Sequence, residues 1–329
     1  MRAVLGTQIG RQKGTENLGV VGNRGRARER GLLLGLGLLA GVVSLGGAGC
    51  GGTMNPGQQM MTPDGGTGTD PGSGSTCTLA ANTTETATVS PKGCHVLTRD
   101  TSACDAARKA AGLSGYWLKF SCRVTLSKPS ATAVRAAADG QPDYKSFYFA
   151  TTSACYESYT GGVHNPNSIT AQQYMIDFPL SPNTTATPMR GAIVGLALNG
   201  VPIFGNFAAP GDDIYQEAMT FDRCGAHPQM TGQYHYHSEP YALSYDDSNF
   251  IGVMRDGYPI YGRRDPDGSR PTLDTYGGHT GTTVDSPATA LYHYHVNEQT
   301  STNATTAGQK QWFLTTGTFR GTPPTCTGC

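Results

Sequence analysis

Apolar residues along the second two thirds of this chain come in short runs bounded by turns rather than in long stripes at helical spacing. Y-W-L-K-F-S-C-R-V-T-L (116–126) alternates in part, S-F-Y-F-A-T-T (146–152) is aromatic and β-branched, and Q-Q-Y-M-I-D-F-P-L (172–180) breaks near its end at a proline. Runs of this length and composition predict strands. One segment reads differently: T-S-A-C-D-A-A-R-K-A-A-G-L is built of good helix formers, with a cap near Thr101 or Ser102 and Gly112 as terminator. The pattern therefore predicts a mainly β domain with one short helix near 101–112, to which Cys104 offers a staple.

The strand pattern repeats. G-L-A-L-N-G-V-P-I-F-G (195–205) aligns without a gap on G-V-M-R-D-G-Y-P-I-Y-G (252–262), with Gly195/Gly252, Gly200/Gly257, Pro202/Pro259, Ile203/Ile260 and Gly205/Gly262 identical. F-D-R-C-G-A-H (221–227) parallels L-D-T-Y-G-G-H (273–279), and Y-H-Y-H occurs at 234–237 and again at 292–295. Three blocks in the same order predict an internal pseudo-twofold duplication, about 193–237 and 250–295, whose halves share one core. Within each half, N-G or D-G between strand-like runs favours a tight hairpin.

The chain has eight histidines, and four of them lie in the two tetrapeptides. A strand sends residues i and i+2 to one face. His235 and His237 should therefore point one way and Tyr234 and Tyr236 the other, as should His293 and His295 against Tyr292 and Tyr294. Two imidazoles about 6–7 Å apart along a strand can converge on one ion, because metal–nitrogen bonds are about 2 Å long. His227 and His279, each two residues past a turn glycine, supply a third nitrogen per half. Each half could build its own three-histidine site, or the two pairs could face one another in a shared site. Asp222 and Asp274 stand at matching positions and could orient a ligand histidine through its second nitrogen. Nitrogen-rich ligation points to a transition metal, copper or zinc, with Met219 and Met230 as nearby thioethers that would favour copper. Glu239 and Glu298 are candidate proton carriers. The acidic segments 212–217 and 265–269 are places where calcium could sit, although D-P-D-G lacks the full calcium-loop pattern and reads more simply as a solvated turn.

Upstream of the strands lies a segment of another kind. A basic block at 21–30 is followed by an uncharged Leu/Gly-rich stretch ending at Cys50, the layout of a bacterial export signal over 1–49. Ala48 and Gly49 before Cys50 resemble a lipoprotein box, with Gly47 in place of the usual Leu or Val. Lipidation of Cys50 would make this an outer-membrane lipoprotein, periplasmic or at the cell surface; cleavage and secretion is the alternative. Residues 50–76 form a Gly/Thr/Pro tether, and 77–329 the folded domain. Residues 1–49 carry seven of the 24 basic and two of the 24 acidic residues, leaving 17 against 22 and a net charge of minus five. That balance gives no support to nucleic-acid binding. Eight cysteines remain beyond Cys50, which in an exported chain reads as up to four disulfides; the closing Cys326-x-x-Cys329 is read the same way.

The G-x-P-I-[FY]-G block, the Gly-x-His turn and Tyr234-His235-Tyr236-His237 together resemble the YHYH-domain family over about 150–310. The resemblance implies an exported or lipoprotein-anchored bacterial protein and brings no established activity. The sequence thus supports an exported protein binding a transition metal through duplicated His-x-His strands and Gly-x-His turns, with metal-dependent enzyme activity open. The competing reading is a non-catalytic surface module for a glycan, peptide or protein partner. Around an enzyme's metal the histidines should border a concave pocket, whereas a binding module should disperse them and expose an aromatic patch.

Overall fold

The computed structural model describes residues 76–326. The expected export signal, Cys50, the tether up to residue 75 and Cys329 lie outside them. The described chain opens with an antiparallel hairpin, β1 (Thr83–Val89) and β2 (His95–Arg99), followed by α1 (Ser102–Ala110). The helix is where the sequence placed it, and Gly112 beyond its end has φ +73°. Thr101 makes no side-chain cap bond; the Asp100 carboxylate accepts the Ser102 N–H instead, at 2.9 Å. Arg108 is buried from this helix, and its guanidinium donates to the carbonyls of Phe120, Ser121 and Val124. A charge so placed stays buried because several of its donors are satisfied.

A three-stranded antiparallel sheet follows, in the order β3 (Thr125–Ser130), β4 (Ala133–Ala138), β5 (Tyr174–Pro179). The strand expected over 172–180 is thus present. The other two early strands are not. Residues Gly115–Lys119 form a 3-10 turn that sends Trp117 into the core, and 146–152 is a run of turns. The second departure has a direct cause: Phe147, Tyr148 and Phe149 are all buried, and three consecutive inward side chains cannot share one face of a strand.

The remaining elements are β6 (Thr187–Pro188), β7 (Ile193–Ala197), β8 (Pro202–Phe204), α2 (Ile214–Glu217), β9 (Ala226–Pro228), β10 (Tyr234–Tyr236), β11 (Phe250–Met254), β12 (Pro259–Tyr261), β13 (Gly278–Thr283), β14 (Ser286–His295), β15 (Asn297–Thr300), β16 (Lys310–Phe313) and β17 (Thr318–Phe319). The fold is mainly β, with two short helices where the sequence suggested one. Asp213 caps α2 by accepting the Tyr215 N–H.

Eight of these strands form one sheet in the order β13-β14-β12-β11-β7-β8-β10-β9. Its two halves have matching registers. Ile193, Gly195 and Leu196 pair with Phe204, Ile203 and Pro202; Phe250, Gly252 and Val253 pair with Tyr261, Ile260 and Pro259. Both hairpins carry an irregularity at the same place. The halves meet antiparallel through β7 and β11, with Leu196 opposite Val253, positions equivalent in the sequence repeat. Gly200 and Gly257 close the hairpins at φ +89° and +95°. At Gly257 a Cβ would lie 2.3 Å from the Pro179 carbonyl oxygen, so both conformation and space require glycine there.

Three disulfides join Cys77–Cys155, Cys94–Cys224 and Cys104–Cys122. The last is the expected staple on α1. Cys326 is disulfide-bonded as well. Among the described residues, no helix is long and apolar enough to cross a membrane.

Candidate metal centres

The tetrapeptides lie at opposite ends of the eight-stranded sheet, separated by β12, β11, β7 and β8. Of the two arrangements the sequence left open, each half therefore assembles its own cluster. In both, the Gly-x-His histidine pairs across strands with the first histidine of the tetrapeptide: His227 opposite His235, and His279 opposite His293. The turn glycines, Gly225 and Gly277, take φ +94° and +86°.

The tyrosines face the core and anchor these strands. Tyr234 donates to Asp222, and Tyr292 donates to Asp274. Tyr236 accepts from the Asn199 amide at 3.1 Å, and Tyr294 donates to Asp256 at 2.6 Å. Asn199 and Asp256 are the equivalent residues of the N-G and D-G turns, so the three sequence blocks of each half are tied by hydrogen bonds. Asp222 and Asp274 thus serve the tyrosine side and the turn backbone; Asp222 also accepts the Cys224 N–H, and Asp274 the Tyr276 and Gly278 N–H groups. The expectation that they orient a histidine ring is corrected: both carboxylates are engaged by tyrosines and turn N–H groups, and the Nδ1 atoms of His227, His235, His237, His293 and His295 are bonded elsewhere.

Those second nitrogens decide the chemistry of the clusters. His235 Nδ1 lies 2.9 Å from the Gln233 carbonyl and His237 Nδ1 2.5 Å from that of Gly205. In the other half His293 Nδ1 lies 3.0 Å from the Leu291 carbonyl and His295 Nδ1 2.6 Å from that of Gly262. A carbonyl can only accept, so each Nδ1 carries the proton and each Nε2 presents a lone pair. His227 is fixed alike: Thr220 Oγ1 donates to the Glu217 carbonyl and so accepts from His227 Nδ1 at 2.6 Å.

In the first cluster, two such lone pairs face each other, with His235 Nε2 only 2.9 Å from His237 Nε2. A proton between them would relieve the repulsion, but burial opposes it. His237 is pushed down to about 4, chiefly by desolvation, and His235 and His227 lie well below 6.5 through desolvation and their neighbouring imidazoles. The three nitrogens together could hold a metal ion. Glu217 stands beyond them, its Oε2 4.0 Å from both His227 Nε2 and His237 Nε2, and burial, helped by Asp212, raises its carboxyl to about 7. The same residues border a cavity of about 570 Å3.

The second cluster has four donors in contact. His279 Nε2 is 3.2 Å from each of His293 Nε2, His295 Nε2 and Asp265 Oδ1. Asp265 Oδ1 is also 3.6 Å from His293 Nε2 and 3.5 Å from His295 Nε2. A tetrahedral ion with bonds of about 2.0–2.1 Å sets its donors about 3.3–3.4 Å apart, so these separations fit one ion among three nitrogens and one oxygen. Burial also lowers His293 and takes His295 to about 4. Both groups could hold a metal ion.

The sequence missed the two carboxylates as partners of these clusters. Both sit in the acidic segments read as calcium candidates or solvated turns, each following the second hairpin strand of its half. The proton carriers it offered are engaged otherwise: buried Glu239 is bonded to Arg263 Nε at 2.7 Å, and Glu298 pairs with Lys310 at 2.8 Å. Met219 and Met230 are largely exposed, and Met230 borders the cavity.

Fold and clusters together define a β-sheet protein whose paired histidine groups could each hold an ion. Residues 173–269 match the family model described as YHYH protein. The match takes in the first tetrapeptide and Asp265 and ends before His279. No curated protein and no solved structure matches the chain.

Proposed function

We propose that this is an exported transition-metal protein with two ions per chain, one in each histidine cluster. The observation that carries the reading is the gathering of three imidazoles in each half, five of the six rings being fixed by a bond at Nδ1 that leaves Nε2 its lone pair. Zinc is the metal favoured over copper for the second cluster, because the donor spacing suits a tetrahedron and the donors are nitrogen and oxygen without sulfur. The matched registers support a duplication as the origin of the two halves.

Export through residues 1–49, with lipidation of Cys50 anchoring the chain to a membrane, belongs to the same proposal. The disulfides and the YHYH-family match fit an exported protein. The histidines are gathered rather than dispersed, which favours metal binding over a glycan or peptide module.

Metal analysis of protein purified without a histidine tag tests the reading. Two ions per chain are expected, falling to one in the His235→Ala/His237→Ala variant and to one in the His293→Ala/His295→Ala variant. Folded wild-type protein that takes up no zinc, copper or cobalt would overturn it.

A further inference from the structure

The cavity beside the first cluster is about 570 Å3, a size that admits a small organic molecule. The three histidines and Glu217 stand together on its lining. The walls are largely apolar: Phe204 stacks on His235 with ring centres 3.9 Å apart, and Phe207, 41% exposed, also borders the space. Several polar side chains along the walls are already committed. Asn165 and Asn167 both donate to the Pro228 carbonyl, and Gln229 donates to Gln233. The other carboxylate on the lining is that of Asp212, which is exposed and would repel a second negative charge on a ligand.

We infer that this cavity binds a small molecule with an extended apolar body and one anionic oxygen-donor head, the head lying at the three histidines. The inference rests on the metal reading above. Three neutral imidazoles leave the charge of a divalent ion uncompensated, and Glu217 at 4.0 Å does not fill the remaining position. In the second cluster Asp265 Oδ1, within 3.6 Å of all three nitrogens, already does. The two clusters therefore differ in what they can accept: the first has a place for an external donor, and the second supplies its own.

The test uses the full exported chain loaded with cobalt(II), whose visible absorption reports its ligands, titrated with acetohydroxamate and octanohydroxamate. The octyl compound should alter the spectrum of one of the two ions and bind roughly tenfold or more tightly than the acetyl compound, as burial of added methylenes requires. His235→Gln should abolish that response while the other ion keeps its spectrum. Phe207→Ala, at a half-exposed position in the cavity wall, should reduce the chain-length advantage at least about threefold. Cobalt uptake without a chain-length preference, or an equal response from both ions, overturns this inference alone. A chain that takes up no cobalt overturns it together with the metal reading.

Discussion

The two histidine clusters are built from the same strands, turns and hydrogen bonds, yet their fourth corners differ. Each places two tetrapeptide imidazoles and one turn imidazole on a single centre, with Nδ1 bonded to carbonyls at equivalent positions, Gly205 and Gly262. In the second, Asp265 comes from the short loop after β12 and is in contact with all three nitrogens. In the first, the longer loop after β8 folds into α2, and Glu217 at its end stops 4.0 Å away. The orientation of the histidines thus resides in the matching strands, and the number of potential donors in the loops between them. Loops are where such a fold can change one site without disturbing its twin.

Metal removal should separate the clusters most widely. An ion at about a thousandfold its dissociation constant stabilises the fold by about 4 kcal/mol, or about 8–16 °C in a domain of this size. We expect the larger part of the loss on chelation to come from the four-donor cluster. Differential scanning calorimetry of the two double-histidine variants, with and without chelator, would measure it; equal losses would erase the distinction. Next in size, Asp265→Asn should weaken zinc at its cluster about 10–100-fold, whereas Glu217→Gln should cost less than about tenfold, as read by competition with a chromophoric chelator.

The tyrosine anchors give a smaller contrast. Tyr294 donates to the buried Asp256 carboxyl, which burial raises to about 6, and it accepts the Arg320 N–H. Tyr236 shares its hydroxyl with Tyr144 and the Asn199 amide. Bonds to a charged partner are worth about 1.5–3 kcal/mol against about 0.5–1.5 for neutral ones. Urea unfolding should therefore show Tyr294→Phe to be the more costly substitution by about 1 kcal/mol.

The smallest contrast is in the response to acid, where the clusters should agree. Burial takes both His237 and His295 from 6.5 to about 4. The unfolded chain then binds protons near pH 6.5 that the folded chain refuses until about 4, so this contribution is complete above 6.5 and lost as pH falls toward 4. The carboxyls of Glu157, Glu217 and Glu239, raised by burial to about 7, run the other way. The histidine contribution is therefore read in metal-free protein as the difference between wild type and His237→Ala or His295→Ala. Similar differences from the two variants are expected; a wild-type advantage that grows as pH falls from 6.5 toward 4 would have the wrong sign.

Where the sequence carried period and repetition, it was readable. The β5 strand, the α1 helix, the two turn-closing glycines and the six clustered histidines all follow from spacing within a few residues of one another. The Asp/Glu partners did not, because an acidic residue in a loop carries no period, and its direction depends on how the loop folds back. Asp222 and Asp274 misled for a related reason: their equivalent positions marked them as important but could not say which face of the strand they serve. The aromatic stretch at 146–152 misled because β-propensity alone was weighed, when three inward side chains in succession already argued against a pleated strand.

The Cys94–Cys224 bond bears unequally on the two clusters. Cys224 stands three residues before His227, and its partner belongs to a hairpin more than a hundred residues earlier. One wall of the open cluster is thus fastened by oxidation, while the half spanning 250–295 contains no cysteine. Reduction of the disulfides should therefore loosen the first cluster directly and reach the second only through the shared sheet.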